Sequence, residues 1–283
     1  MAARDSAMGA CHDGHDVRVS STDSDRRLVR VLAWIVAISF PLATLLLALI
    51  WLNITSPEPT FREGENVLVD NIVTGFTSDQ ERWPQELASQ LLFILGFAGV
   101  AGLGATLFPL VGAGDGARRF MATLFILAAS LGIVGMLLYV GVKEVMANPM
   151  YCECGSRDAQ LISRVTVLDA ASNAQNWMTD AFATLFGIGL IVAASAAAAM
   201  PRGWRTYSRW MGVAALVAVV IGRVLPFIQF EIIDNPDVDL GNVALLLIVI
   251  VSGVLTPIWA IWTARTMNAS NEPNEPNEPA ATT

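Results

Sequence analysis

The stretch RRFMATLFILAASLGIVGMLLYVGVKE, residues 118–144, carries no charged side chain from Phe120 to Val142. A bilayer's hydrocarbon core is ~30 Å thick and takes about 20 apolar residues to cross as a helix. This segment meets that length, is apolar on every face rather than along one stripe, and is bounded by charge at both ends. Working outward from it, similar apolar runs fall at 28–53, 88–110, 119–146, 175–200, 207–231 and 240–264. They fill more than half of the 283 residues, in a chain that is 54% hydrophobic and 15% charged, with a mean hydropathy of +0.54. Ordinary soluble domains are less apolar than this, and no segment between the runs is long enough for a sizeable folded domain. The predicted fold is therefore an all-α membrane protein, with six transmembrane helices in a compact bundle over residues 28–265. Residues 1–27 and 266–283 read as disordered tails. The polar residues 1–27 ahead of the first run, and that run's length, argue for a retained signal anchor rather than a cleaved signal peptide.

Charge sorts by side. Arg26, Arg27 and Arg30 precede the first run; Arg118 and Arg119 separate the second from the third; Arg202, Arg205 and Arg209 separate the fourth from the fifth; Arg265 follows the sixth. The first outer loop is acidic, with Glu58, Glu63, Glu65, Asp70, Asp79, Glu81 and Glu86. So is the third, with Glu231, Asp234, Asp237 and Asp239. The positive-inside rule then places both termini in the cytoplasm, and the net charge of −8 reflects the outer loops rather than an acidic binding surface. Trp34, Trp204, Trp210, Trp259 and Trp262 fall at inner helix ends and Trp51, Trp83 and Trp177 at outer ones, as two aromatic belts. Lys143 is the sole lysine against sixteen arginines, a bias of base composition that suggests a GC-rich prokaryote and its plasma membrane.

Two tight inner hairpins turn at GAGDGARR (112–119) and PRGWRTYSR (201–209), rich in the turn formers Gly and Pro and in arginine. Outer loops are expected at 54–87, 147–174 and 232–239. Within the first, TSDQERWPQE has Ser78 three residues before Glu81, a capping-box spacing that predicts a short surface helix anchored by Trp83. Gly96, Ala98, Gly99, Ala101, Gly102 and Gly104, with AASAAAAM at the end of the fourth run, mark faces where helices approach closely within the bundle. Pro41, Pro109, Pro226 and Pro257 are positions of kinks or helix ends. The tail NEPNEPNEP (271–279) is acidic and Pro-rich and has nothing with which to bury a core.

Three constellations carry chemistry. In CHDGHD (11–16), Cys11, His12 and His15 are soft and borderline metal ligands, but a tail supplies no fixed second shell. No other histidine exists in the chain, so bis-histidine haem, zinc-protease and histidine proton-relay chemistries inside the membrane have no support. In PMYCECG (149–155), Cys152 and Cys154 lie in an oxidising compartment. A strained local disulfide, a cross-link to another chain and a soft-metal site with Met146 and Met150 compete there, the loop staple being preferred.

The third constellation is an intramembrane polar cluster. Arg223 sits ~21 Å along its helix from Arg209, at 1.5 Å per residue, in the outer half of the fifth run. Glu86 and Gln90, Lys143 and Glu144, and Asn176 and Asp180 lie at similar depth. The pairs Glu86/Gln90 and Asn176/Asp180 are each spaced i,i+4 and so share a helix face. A charge at membrane depth faces the bundle and finds a counter-ion. Asp180 or Glu144 is the expected partner of Arg223, with Lys143 taking the remaining carboxylate. The bland alternative is a snorkelling arginine with its head among lipid phosphates.

The segments SRWMGVAALVAVV, opening the fifth run, and PIWAIWTAR, closing the sixth, resemble those of six-helix integral membrane proteins of actinobacteria. These families carry no assigned activity, so the resemblance implies a fold and no chemistry. The chain shows no nucleotide fingerprint, paired catalytic carboxylates, Ser/His/Asp set or nucleic-acid module, and no cofactor is implied. Two readings of function remain. One is a non-enzymatic accessory or scaffold subunit of a membrane assembly, embedded in lipid and meeting protein partners through its outer loops or tails. The sparse intramembrane polarity and the lack of catalytic residues favour that first reading; the alternative is a small-solute or ion transporter or channel with a polar outer-leaflet site around Arg223.

Overall fold

The computed structural model describes residues 16–52, 68–147, 157–228, 247 and 250–269. Its elements are α1 (Asp16–Trp51), α2 (Leu68–Thr106), a 3-10 turn (Phe108–Leu110), α3 (Asp115–Ala147), α4 (Arg157–Ala196), α5 (Arg202–Ile228), a π-helical turn (Val251–Leu255) and α6 (Thr256–Ala269). No strand occurs among the described residues. Each helix from α1 to α5 packs antiparallel against the next in sequence, and α6 returns to pack mainly against α1. Among the described residues, four segments are long and apolar enough to cross a membrane: Asp23–Ile50, Arg82–Leu110, Asp115–Val145 and Ser163–Ala196.

All six helices keep large apolar side chains on their outward faces. Ile38, Leu45, Leu91, Leu127, Ile188, Val220 and Ile258 are all exposed. A water-facing surface rarely carries apolar area on every element, whereas hydrocarbon accepts it. The chain thus has the build of a membrane-embedded helical bundle.

Several helices outrun their apolar segments. Residues 16–27, expected in a disordered tail, form the first turns of α1, because a helix already nucleated by the apolar run extends cheaply through DSDRRLVR. The surface helix expected near Ser78 is not separate. It belongs to α2, which starts at Leu68 and continues through Pro84. The loop expected at 147–174 is likewise mostly α4, which begins at Arg157; no Gly or Pro interrupts the sequence between Arg157 and Gly187. At 1.5 Å per residue, α2 and α4 are each about 60 Å long, roughly twice a hydrocarbon core. The tail at 271–279 and the loop at 232–239 lie outside the described residues.

The two hairpins turn at the same end of the bundle and touch. Val111 accepts a hydrogen bond from the Ala199 amide at 3.2 Å, and Gly112, at φ +69°, lets the chain reverse beside Ala199. Pro109 sits in the 3-10 turn that ends α2. Inside, an aromatic column runs through the core. Phe97 meets Phe182 at 4.5 Å between ring centroids, Phe182 meets Phe186 at 5.3 Å, Phe186 meets Phe125 at 5.1 Å and Trp259 at 5.8 Å. Trp204 and Trp259, expected in the inner belt, are instead fully buried in this core. Each indole N–H reaches a hydroxyl on the facing helix, Trp204 to Thr263 at 2.9 Å and Trp259 to Ser208 at 3.0 Å. Those hydroxyls, one turn apart on each helix from the indoles, make burial of a polar N–H affordable. Trp34, Trp210 and Trp262 do stay exposed at this end.

Small residues set the helix spacing. Leu32, Val36 and Phe40 of α1 lie against Gly102, Gly99 and Gly96 of α2, where an added Cβ would fall 2.8 Å from each of them. The α4–α5 crossing is closer still. A Cβ on Gly212 would stand 2.5 Å from the Gly187 carbonyl oxygen, and one on Gly187 would stand 2.9 Å from the Gly212 oxygen. Backbone cannot yield as a side-chain tip can, so Gly212→Ala should destabilise the purified protein by about 1–3 kcal/mol, the range for overpacking. Gly114→Ala, with nothing within 4 Å of the new Cβ, should leave the thermal midpoint in detergent unchanged. Equal midpoints for the two variants would refute the contact.

Candidate functional site

The expected polar cluster divides into two ion pairs and a separate amide contact, all toward the end of the bundle remote from the hairpins. The first pair ties α2 to α3. The Lys143 ammonium meets Glu86 Oε2, and Tyr139, one turn before Lys143 on α3, donates its hydroxyl to Glu86 Oε1 at 2.7 Å. The rings of Tyr139 and Trp83 each lie 5.5 Å from Lys143 Nζ, close enough for cation–π attraction. Contrary to the expectation that it would take Glu144, the carboxylate left by Arg223, Lys143 thus pairs with Glu86. Successive residues on a helix point about 100° apart, so Glu144 faces outward and accepts the Trp83 indole N–H at 2.7 Å. The Lys143 and Glu86 side chains are 6% and 14% exposed; this pair is sealed.

Next comes the amide contact. Gln175 of α4 donates to Gln90 Oε1 at 3.2 Å and approaches Met136 Sδ at 3.0 Å, linking α2, α3 and α4. Gln90 is buried. Its spacing from Glu86 places both on the α2 face that looks into the bundle.

The second pair joins α4 to α5. Arg223 Nε donates to Asp180 Oδ2, and Nη2 of the same guanidinium meets that oxygen. The guanidinium carbon lies 4.3 Å from the Trp177 ring centroid, a stacking that suits the planar cation. Here the side chains are 38% and 23% exposed, and what they face is a cavity of about 280 Å³. Arg223, Asp180, Asn176 and Thr179 form its polar wall; Phe40, Phe182 and Phe186, the top of the aromatic column, form much of its apolar lining. Guanidinium has five donors, and the Asp180 contact uses only Nε and one terminal nitrogen. The cavity thus offers a cation with donors to spare above an apolar surface, a combination typical of small-molecule sites.

The π-helical turn supplies the remaining wall through Val251 and Ser252, followed by Thr256. Pro257 has no N–H to give to a carbonyl one turn back, and the turn before it widens. The Thr256 amide reaches Val251 O, as does its hydroxyl at 2.8 Å. Ser252 meets Thr44 of α1 at 3.3 Å, and Tyr207 of α5 donates to Leu255 O at 2.9 Å. In a membrane, irregular backbone is tolerated where it lines a cavity, and Val251 and Ser252 of this turn do so.

Tyr139, Gln175, Thr179, Ser252 and Thr256 escaped sequence reasoning. Tyr139/Lys143 and Gln175/Thr179 are spaced i,i+4, the same signal that grouped Glu86 with Gln90, but their uncharged side chains did not stand out. Cys11, His12, His15, Cys152 and Cys154 lie outside the described residues, and among the described residues no group of three metal-ligating side chains gathers. The chain matches no protein-family model, no curated protein and no solved structure.

The two pairs differ in what removing a partner does. Lys143→Met or Glu86→Gln alone leaves a buried group without its partner, and each should lower stability by about 3–5 kcal/mol. The double variant should recover part of that loss, a coupling read from a double-mutant cycle in thermal or denaturant unfolding. Simple additivity would show that the pair is not linked in the folded protein.

Proposed function

We propose that this chain is a six-helix integral membrane protein, both termini cytoplasmic, that binds a small anionic solute in its outer half as the recognition step of transport. One observation carries the reading: the half-exposed Arg223–Asp180 pair opens onto a cavity of about 280 Å³ floored by Phe40, Phe182 and Phe186. A purely structural ion pair gains nothing from facing a void, and a snorkelling arginine has no need of a carboxylate on the next helix. A solute that fits carries one carboxylate or similar anionic group for Arg223 and a compact apolar body for the rings. Asp180 holds the guanidinium in place and yields part of its hydrogen bonding when the anion arrives. Below the cavity the aromatic column blocks the inner half, so this arrangement corresponds to an outward-facing state. The irregular turn at Val251–Leu255 is where helix geometry can change with least loss of hydrogen bonds.

The topology is supported by the gathering of Arg30, Arg118, Arg202, Arg209 and Arg265 at the hairpin end, the cytoplasmic end under the positive-inside rule. The scaffold reading keeps one specific support: α2 and α4, at 39 and 40 residues, are each about twice as long as a ~30 Å hydrocarbon core and so offer a platform for protein partners outside it.

Benzoate serves as a probe of the right charge, shape and size. Proteoliposomes of the wild-type chain should take up labelled benzoate above protein-free vesicles, and Arg223→Ala should reduce that uptake by about tenfold or more, as expected when a charge-assisted contact is lost. Uptake is compared at equal amounts of folded, reconstituted protein, so that its loss reports the site and not folding. Uptake unaffected by Arg223→Ala, or absent for benzoate and for a panel of small aliphatic carboxylates, would leave the scaffold reading in its place.

A further inference from the structure

At the opposite end of the bundle, the first two turns of α5 carry Arg202, Arg205 and Arg209 with Thr206. The spacing i, i+3, i+4, i+7 aligns them on one face. They surround a depression of about 290 Å³ whose other wall is Ala194 of α4. None of the three arginines has a carboxylate within ion-pair distance among the described residues. Arg118 in the other hairpin shows the contrast: it is neutralised by Asp115 at 3.0 Å. Three unpaired guanidinium groups around one hollow repel one another, and the amino end of α5 adds its own positive partial charge. Such a hollow has a built-in affinity for an anion with several acceptor oxygens, the pattern of phosphate.

The same face continues as an apolar strip. Val213, Val217 and Val220 follow Arg209 at helical spacing and are 37%, 45% and 60% exposed. A basic hollow over about 10 Å of helix, followed by an apolar strip of about the same length, matches a headgroup with its acyl chain. A soluble acidic peptide or free phosphate would leave the valines uncovered. Trp210, 67% exposed at the junction, marks the level at which indoles sit between headgroups and hydrocarbon.

We propose that Arg202, Arg205, Thr206 and Arg209 form a specific site for the phosphate headgroup of an anionic phospholipid, whose acyl chain lies along Val213, Val217 and Val220. The proposal rests on the reading of α5 as a membrane helix with its arginines at a bilayer surface. It is independent of what the cavity at Arg223 binds.

The test is native mass spectrometry of the full-length, detergent-purified protein with phosphatidylglycerol and phosphatidylcholine in competition. Wild type should retain phosphatidylglycerol in preference by about tenfold or more, given the attraction each surface arginine adds. The triple variant Arg202→Gln/Arg205→Gln/Arg209→Gln should bind the two lipids alike, while Arg26→Gln/Arg27→Gln, also basic and at the same end, should keep the preference. The triple Arg→Lys variant guards against misfolding: it keeps the charge and should retain most of the selectivity. Persistence of the preference in the Gln triple would overturn the site. Displacement of the lipid by inorganic phosphate would reassign the hollow to a free anion and overturn the lipid assignment. A protein that stays soluble without detergent would defeat the membrane reading itself; one that needs detergent yet shows no lipid preference would defeat this inference alone.

Discussion

A charge taken out of water must find its counter-charge within the protein, and this requirement organises the bundle. Arg223 lies ~21 Å along α5 from Arg209, and its counter-ion comes from α4. Lys143 finds its own on α2. Each pair fixes the rotation of two helices about their axes, because a one-residue slip would turn the charge about 100° away from its partner and into hydrocarbon. Packing then completes what the charges orient. The Gly212–Gly187 approach brings α4 and α5 close enough for Arg223 to reach Asp180, and the glycine face of α2 does the same for α1.

The cavity follows from a local failure of helix regularity. Between α5 and α6, Trp204 donates to Thr263, Trp259 to Ser208 and Tyr207 to the Leu255 carbonyl. The first two lie on the hairpin side of the π-helical turn, and the third ends on its last residue. Beyond it, Pro257 has forced the turn before α6 to widen, and the space between α1, α4 and α5 is closed by no large described side chain. Two pairs of similar chemistry therefore serve different ends. Lys143–Glu86 is enclosed by Tyr139 and Trp83 and fastens α2 to α3, whereas Arg223–Asp180 is left facing the void.

How far the sequence foretold this depends on the kind of signal. Apolar length and flanking charge locate helices well, because hydrocarbon thickness dictates both; the described helices all contain or overlap the expected runs. Helix ends were less legible. The extensions of α2 to Leu68 and α4 back to Arg157 rest on uninterrupted helix propagation, which hydropathy does not register. The Arg223–Asp180 pairing was among the partners expected, since depth along a helix can be counted and opposite charges at equal depth are few. The fate of Lys143 was not, because counting gives depth but not rotation, and Glu86 and Glu144 stand at nearly the same depth. Trp204 and Trp259 misled for a related reason: an indole at a helix end is equally suited to a lipid interface or to a core that supplies a hydroxyl. The widened turn at Val251–Leu255, which shapes the cavity, left only Pro257 as its trace.

The central claim is that the cavity at Arg223 is open to water from the outside and ends at the aromatic column. Cysteine accessibility in intact cells tests it most directly, in a background lacking Cys11, Cys152 and Cys154. Ala183→Cys, in the cavity wall, should react with a small membrane-impermeant methanethiosulfonate added outside. Ala193→Cys, fully buried on α4 below the column, and Thr206→Cys at the hairpin end should react only after the cells are opened, if at all. An inert Ala183→Cys in a folded, correctly inserted protein, or a Thr206→Cys that labels from outside, would contradict the account.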